Sequence, residues 1–239
     1  MLSKIMGGVV VSLDSYVIEI EVEHRNGFPR FDIVGLPDAA IKEARERISQ
    51  AIRHSGFDFR HRKILCNLAP ADIKKSGTFL DLPIALGVLA SSGFLKRENF
   101  QNTLIFGELG FDGKVKPVRG AMPLAIMARE AGFKSMILPK ENFDEVKVID
   151  QIEYYPVENL EEAINALELK RQPLLPSIEF EEETAYFEND FADVKGQTLA
   201  KRAMEIACAG FHNILLIGSP GVGKTMLAKR MIGIMPPLS

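Results

Sequence analysis

The chain has no tryptophan, four tyrosines, two cysteines and four histidines among its 239 residues. No basic stretch is interleaved with aromatic rings, so the stacking platform used by many single-strand-binding proteins is missing. Cys66 in KILCNLA and Cys208 in EIACAGF lie far apart in apolar surroundings. They read as two buried thiols of a reducing compartment, and not as a disulfide or metal site. His24, His54, His61 and His212 show no metal-ligand spacing. The start, MLSKIMGGVVV, is an apolar run cut short before Asp14. It is too short to span a membrane and lacks the cleavage pattern of a signal peptide. The expectation is a cytoplasmic protein with no membrane partner.

Charge of one sign is also scarce overall, with 29 Lys+Arg against 32 Asp+Glu, a net of −3. This excludes a protein that coats nucleic acid through general basicity. The near-neutrality is a cancellation. Residues 1–140 carry 20 basic and 15 acidic side chains, residues 141–190 carry 3 and 15, and residues 191–239 carry 6 and 2. The acidic stretch marks a boundary. With 46% hydrophobic residues the chain can build packed cores.

Along the chain, VVVSL, YVIEIEVE and FPRFDIVGL read as strands, and Asn26-Gly27 predicts a hairpin between the last two. Asp38 is placed to cap a helix whose apolar positions are Ala40, Ile41, Ala44, Ile48, Ala51 and Ile52. KILCNLA reads as a buried strand, LPIALGVLASSGF as a buried helix from Asp81, TLIFGEL and GKVKPV as strands about a turn at Gly110–Gly113. A helix over 119–131, a strand SMILP and a helix EEAINALE follow. The mixture predicts an α/β (α+β) fold. The expected organisation is a domain over 1–169, an acidic linker over 170–189 and the start of a second domain over 190–239.

The sharpest chemical signal is Gly218-Ser219-Pro220-Gly221-Val222-Gly223-Lys224-Thr225, which satisfies the phosphate-binding-loop pattern. Gly221 and Gly223 let backbone N–H groups wrap phosphate oxygens, Lys224 can reach the terminal phosphates, and the Thr225 hydroxyl can ligate Mg²⁺. NILLIGS before it reads as a buried strand and MLAKRMIGI after it as a helix, the context the motif requires. ATP and Mg²⁺ are the expected cofactors. A second, weaker signal is a group of cations, Arg45, Arg47, Arg53, Arg60, His61, Arg62, Lys63, Lys74 and Lys75. Such a group can neutralise DNA phosphates, or it can be a solvated helix face with polar loops.

DVKGQ at 193–197, followed by TLAKRAMEIACAG and the phosphate loop, resembles the AAA+ ATPases and most closely their magnesium-chelatase-like branch. The resemblance implies that Val194 and Gly196 lie near the base. Residues 103–141 resemble the proteolytic domain of Lon proteases, with KKSGTFLD at 74–81 where Lon carries its nucleophile segment. The nucleophilic serine position holds Phe79 and the lysine position Met122. Ser76 lies three residues away, but no lysine adjoins Met122, so no Lon-type Ser-Lys dyad is expected. A Lon-like domain without its dyad, an acidic tether and a chelatase-type AAA+ start together resemble the ComM/YifB family. That resemblance implies a hexameric DNA-processing motor of branch migration and competence. The chain ends 15 residues after Lys224. On this reading the hydrolysis and sensor motifs lie beyond Ser239, and the fragment binds ATP without hydrolysing it efficiently. The alternatives are a chelatase motor subunit and a non-catalytic assembly module.

Overall fold

The computed structural model describes residues 2–12, 14–58, 62–75, 77–95, 100, 102–177 and 190–235. The chain divides into two compact units, Met1–Glu179 and Phe180–Ser239.

The first unit is built on a seven-stranded sheet. β1 (Leu2–Val11) and β2 (Asp14–Asn26) form a long antiparallel hairpin, with Leu2 opposite Glu23 and Val11 opposite Asp14. β3 (Arg30–Val34), β4 (Arg62–Ala69), β5 (Thr103–Ile105), β8 (Ser135–Pro139) and β9 (Glu153–Val157) complete the order β3-β4-β2-β1-β5-β8-β9. Four of the six pairings are parallel: β3–β4, β1–β5, β5–β8 and β8–β9. A separate two-stranded ribbon pairs β6 (Glu108–Leu109) with β7 (Val115–Lys116).

The hairpin expected at Asn26-Gly27 does not form. β4 pairs antiparallel with β2, and β3 lies beyond it, parallel to β4. β2 already has β1 on one side, so β4 takes its other edge and leaves β3 as an edge strand, where Pro29 costs no ladder bond. β4 buries one face only: Ile64, Cys66 and Leu68 point inward, while Leu65 is 41% exposed. TLIFGEL breaks at Gly107, whose N–H donates to the Phe79 carbonyl (2.9 Å) and whose carbonyl accepts from Leu82 N–H (3.0 Å). The chain therefore leaves the sheet there.

Helices cover both faces. α1 (Ala39–His54) begins as expected, with the Asp38 carboxylate accepting from Ile41 N–H. Its Ile41, Ala44, Ile48, Ala51 and Ile52 are buried. Every residue of α2 (Asp81–Ser91) is buried. α1, α2 and α5 (Leu160–Leu167) share one core, and α3 (Ala121–Glu130) with the short α4 (Phe143–Val146) packs into the other. Adjacent glycines in β1 allow this double cover. A Cβ at Gly7 would stand 3.0 Å from Leu80 beside α2, and one at Gly8 would stand 2.8 Å from Leu124 of α3.

Residues 170–177, assigned above to the linker, make contacts within the first unit. Leu174 exchanges two backbone hydrogen bonds with Tyr154 of β9 (2.7 and 2.9 Å), Arg171 pairs with Glu162 (2.8 Å), and Ser177 N–H donates to the Lys147 carbonyl.

The second unit carries a 3₁₀ turn (Phe191–Asp193), α6 (Thr198–Ala209), α7 (Lys224–Arg230) and a final 3₁₀ turn (Met231–Ile234) around Phe191, Val194, Met204 and Leu227. NILLIGS forms no assigned strand and pairs with none among the described residues. Ile214 and Leu216 pack inward, while Leu215 and Ile217 are 81% and 87% exposed. The expected burial fails because only one face of this run has the unit's core packed against it, and a strand is buried on both faces only when a layer covers each.

A candidate nucleotide-binding loop

The phosphate-loop segment sits between the apolar 213–217 run and α7. Leu227, 3% exposed in the unit's core, anchors the helix, and its N–H donates to the Gly223 carbonyl (3.0 Å) to open the helical ladder. Gly221 and Gly223 adopt left-handed φ values of 84° and 87°, which a side chain would oppose. Beyond its immediate chain neighbours, no atom lies within 4 Å of where a Cβ on Gly221 would stand, so the loop is open on that side. Lys224 turns back across the loop, its Nζ donating to the carbonyls of Gly218 (2.7 Å) and Ser219 (2.8 Å). Ser219, Pro220, Val222 and Thr225 are exposed, with Thr225 in the first turn of α7.

The 193–197 segment lies against this loop. Val194 is 2% exposed with its side chain in the unit's core. Its carbonyl accepts from Lys201 Nζ. Gly196 is left-handed and exposed. Gln197, which sequence reasoning left without a role, donates from Nε2 to the Val222 carbonyl (3.2 Å). Arg230 ties the far end of α7 back, donating from Nε to the Asp190 carbonyl (3.1 Å) and pairing with Asp193 at 3.6 Å. The G-Q dipeptide was visible in the sequence; the contact 25 residues away was not.

In the first unit, Phe79 packs against the α3-side core in the loop before α2, and Met122 stands in the first turn of α3. Two residues beyond Phe79, the Asp81 carboxylate is 1% exposed and accepts from Arg47 Nε (2.8 Å) and Nη2 (3.2 Å) and from Leu109 N–H (3.3 Å). Burial pushes its pKa up to about 6, against the opposing pull of Arg47. The same pairing raises Arg47.

The cation group is divided by the fold. Arg47 is committed to Asp81, and Lys75 is fully buried with its ammonium donating to the Pro70 carbonyl. Burial lowers the Lys75 pKa. Arg45 donates to the Phe31 carbonyl (3.3 Å). Arg53, Lys63 and Lys74 are exposed, while Arg60, His61 and Ser76, with the Arg62 side chain, fall outside the described residues. Among the described residues no His, Cys, Asp or Glu group is arranged to hold a metal, and no helix is long and apolar enough to cross a membrane.

A family model described as subunit ChlI of Mg-chelatase matches residues 20–142, just over half of the chain. A second, described as magnesium chelatase, subunit ChlI, matches residues 190–239. The chain is 44% identical to the uncharacterised protein YifB of Salmonella typhimurium, over 93% of this chain and 44% of that protein. It is 36% identical to the competence protein ComM of Haemophilus influenzae, over the same shares. The chain belongs to the magnesium-chelatase-like ComM/YifB family.

More distant similarity reaches the archaeal Lon protease of Thermococcus kodakarensis (26% identity, 66% of this chain, 25% of that protein). It also reaches the DNA repair protein RadA of Haemophilus influenzae (28%, 48% and 24%). These relatives agree with a Lon-like α/β unit followed by an AAA+ unit. The chain spans under half the length of the ComM/YifB relatives it matches. Nucleotide and Mg²⁺ use is general to this chelatase-like family.

Proposed function

We propose that residues 190–239 form the nucleotide-binding start of an ATP-dependent, DNA-processing motor, with residues 1–169 as a Lon-like module that has lost its peptidase dyad. The observation that carries this reading is the open loop 218–223 with the Lys224 ammonium folded over it. The residues fit a polyphosphate. Gly221 leaves room on the loop's surface, and Lys224 holds two neutral carbonyls that a charged phosphate oxygen outcompetes as an acceptor. When bound, the nucleotide supplies the phosphoanhydride whose cleavage powers the motor. This chain's part is to bind and orient it: the loop's N–H groups hold phosphate oxygens, Lys224 neutralises their charge, and Thr225 presents its hydroxyl to Mg²⁺.

Titrating Mg·ATP into the protein and into Lys224→Ala tests the binding. Saturable binding that Lys224→Ala abolishes is expected; the same absent signal from both overturns the reading. The chelatase names of the matching models favour a second reading, a motor subunit for inserting metal into a tetrapyrrole. Porphyrin metallation that requires the whole protein would support it over DNA work. Proteolysis is opposed by Phe79 and Met122, and casein cleavage abolished by Ser76→Ala would reinstate it.

A further inference from the structure

Gln197 occupies a conformation that its residue type disfavours. Its φ of 53° and ψ of 33° are left-handed, a region that brings the Cβ of a non-glycine residue too close to the following carbonyl oxygen. Gly196 before it is left-handed as well, at φ 71°. Asparagine or glycine would sit there at lower cost. The glutamine side chain, however, spans to the phosphate loop, donating from Nε2 to the Val222 carbonyl at 3.2 Å.

That carbonyl belongs to the peptide unit joining Val222 to Gly223. The unit is trans, so its C=O and the Gly223 N–H point in opposite directions. Holding the carbonyl on the Gln197 side fixes the Gly223 N–H on the other. On the glycine side the unit has little to restrain it, because Gly223, at φ 87°, has no Cβ. A rotated unit would replace a donor with a carbonyl dipole that repels phosphate. We propose that Gln197 is a positioning residue of the phosphate loop, locking the Val222–Gly223 peptide with its N–H available to a polyphosphate.

This inference rests on the nucleotide reading above, and its test separates the two. Binding of Mg·ATP and of base-free tripolyphosphate is measured for the protein, Gln197→Gly, Gln197→Asn and Lys224→Ala, with denaturant unfolding of each. Glycine and asparagine both accept the left-handed backbone; glycine has no amide, and the asparagine amide is one methylene short. Both Gln197 variants are expected to fold at least as stably as the parent and to bind both ligands about threefold to tenfold more weakly, the range of one neutral hydrogen bond. A purely structural role would lower stability instead, and a contact to the base would weaken ATP alone. Undiminished tripolyphosphate binding by both variants overturns the role of Gln197 while leaving the nucleotide reading intact. Failure of the parent protein to bind either ligand overturns both.

Discussion

A buried carboxylate in the first unit is held by one ion pair and one backbone donor. Asp81, 1% exposed, has its carboxylate held by two guanidinium N–H groups of Arg47 and by Leu109 N–H. Arg47→Ala would strand the carboxylate in an apolar setting, and the expected loss is about 3–5 kcal/mol of unfolding free energy. The pH dependence has a definite sign. Because the folded-state pKa is raised, from an ordinary value near 3.8 to about 6, the folded protein holds this proton more tightly than the unfolded chain. Asp81 therefore favours folding most below about pH 4, and this contribution is lost as pH rises through 6. Arg47→Ala moves the carboxyl higher still, so its destabilisation should be largest above neutrality and shrink on acidification. Urea unfolding of both proteins from pH 4 to 8 measures this, and a pH-independent difference would contradict it. Tyr154 offers a gentler case: its single O–H is shared between the Ile149 (2.8 Å) and Val146 (3.0 Å) carbonyls. Tyr154→Phe should cost about 1 kcal/mol in the same experiment.

Elements were legible wherever local chemistry decides them. The α1 cap and its apolar spacing could both be read from residues 38–52, and Asp38→Ala should lower stability by about 1 kcal/mol in thermal or denaturant unfolding. An unchanged midpoint would mean that the Ile41 N–H finds water at no cost. The phosphate loop was legible for the same reason, since its glycines, lysine and threonine are contiguous. Pairing over distance was not. Asn26-Gly27 carries the signature of a hairpin, yet β4, arriving 36 residues later, takes the edge of β2 and displaces β3. The Asp81–Arg47 pair spans 34 residues and the Gln197–Val222 contact 25. Each is set by how elements meet, and a periodicity within either element does not record it. NILLIGS shows the converse: its four consecutive apolar residues predict burial throughout, yet only Ile214 and Leu216 face the core, because burial of the opposite face depends on a second layer packed against it.

At the scale of the whole molecule, the net −3 conceals a first 140 residues at +5 and a last 49 at +4, separated by a strongly acidic stretch. Folding reduces the positive charge available to DNA, because Arg47 is spent on Asp81 and Lys75 is buried. Lys63 and Lys74 stay exposed, and they are the residues through which the DNA reading is best tested. Contacts to phosphate carry no sequence information and release counterions, so each removed contact lowers affinity on every sequence and flattens the dependence on salt. Binding of forked and duplex DNA by the full-length protein should weaken steeply as salt rises. Lys63→Gln and Lys74→Gln together should reduce the slope of log affinity against log salt by about 2 and weaken unrelated sequences equally. Weak, salt-insensitive binding by the unaltered protein would remove DNA from its function and leave nucleotide binding standing alone. A slope unchanged by both substitutions would place the DNA contact elsewhere in the full-length protein.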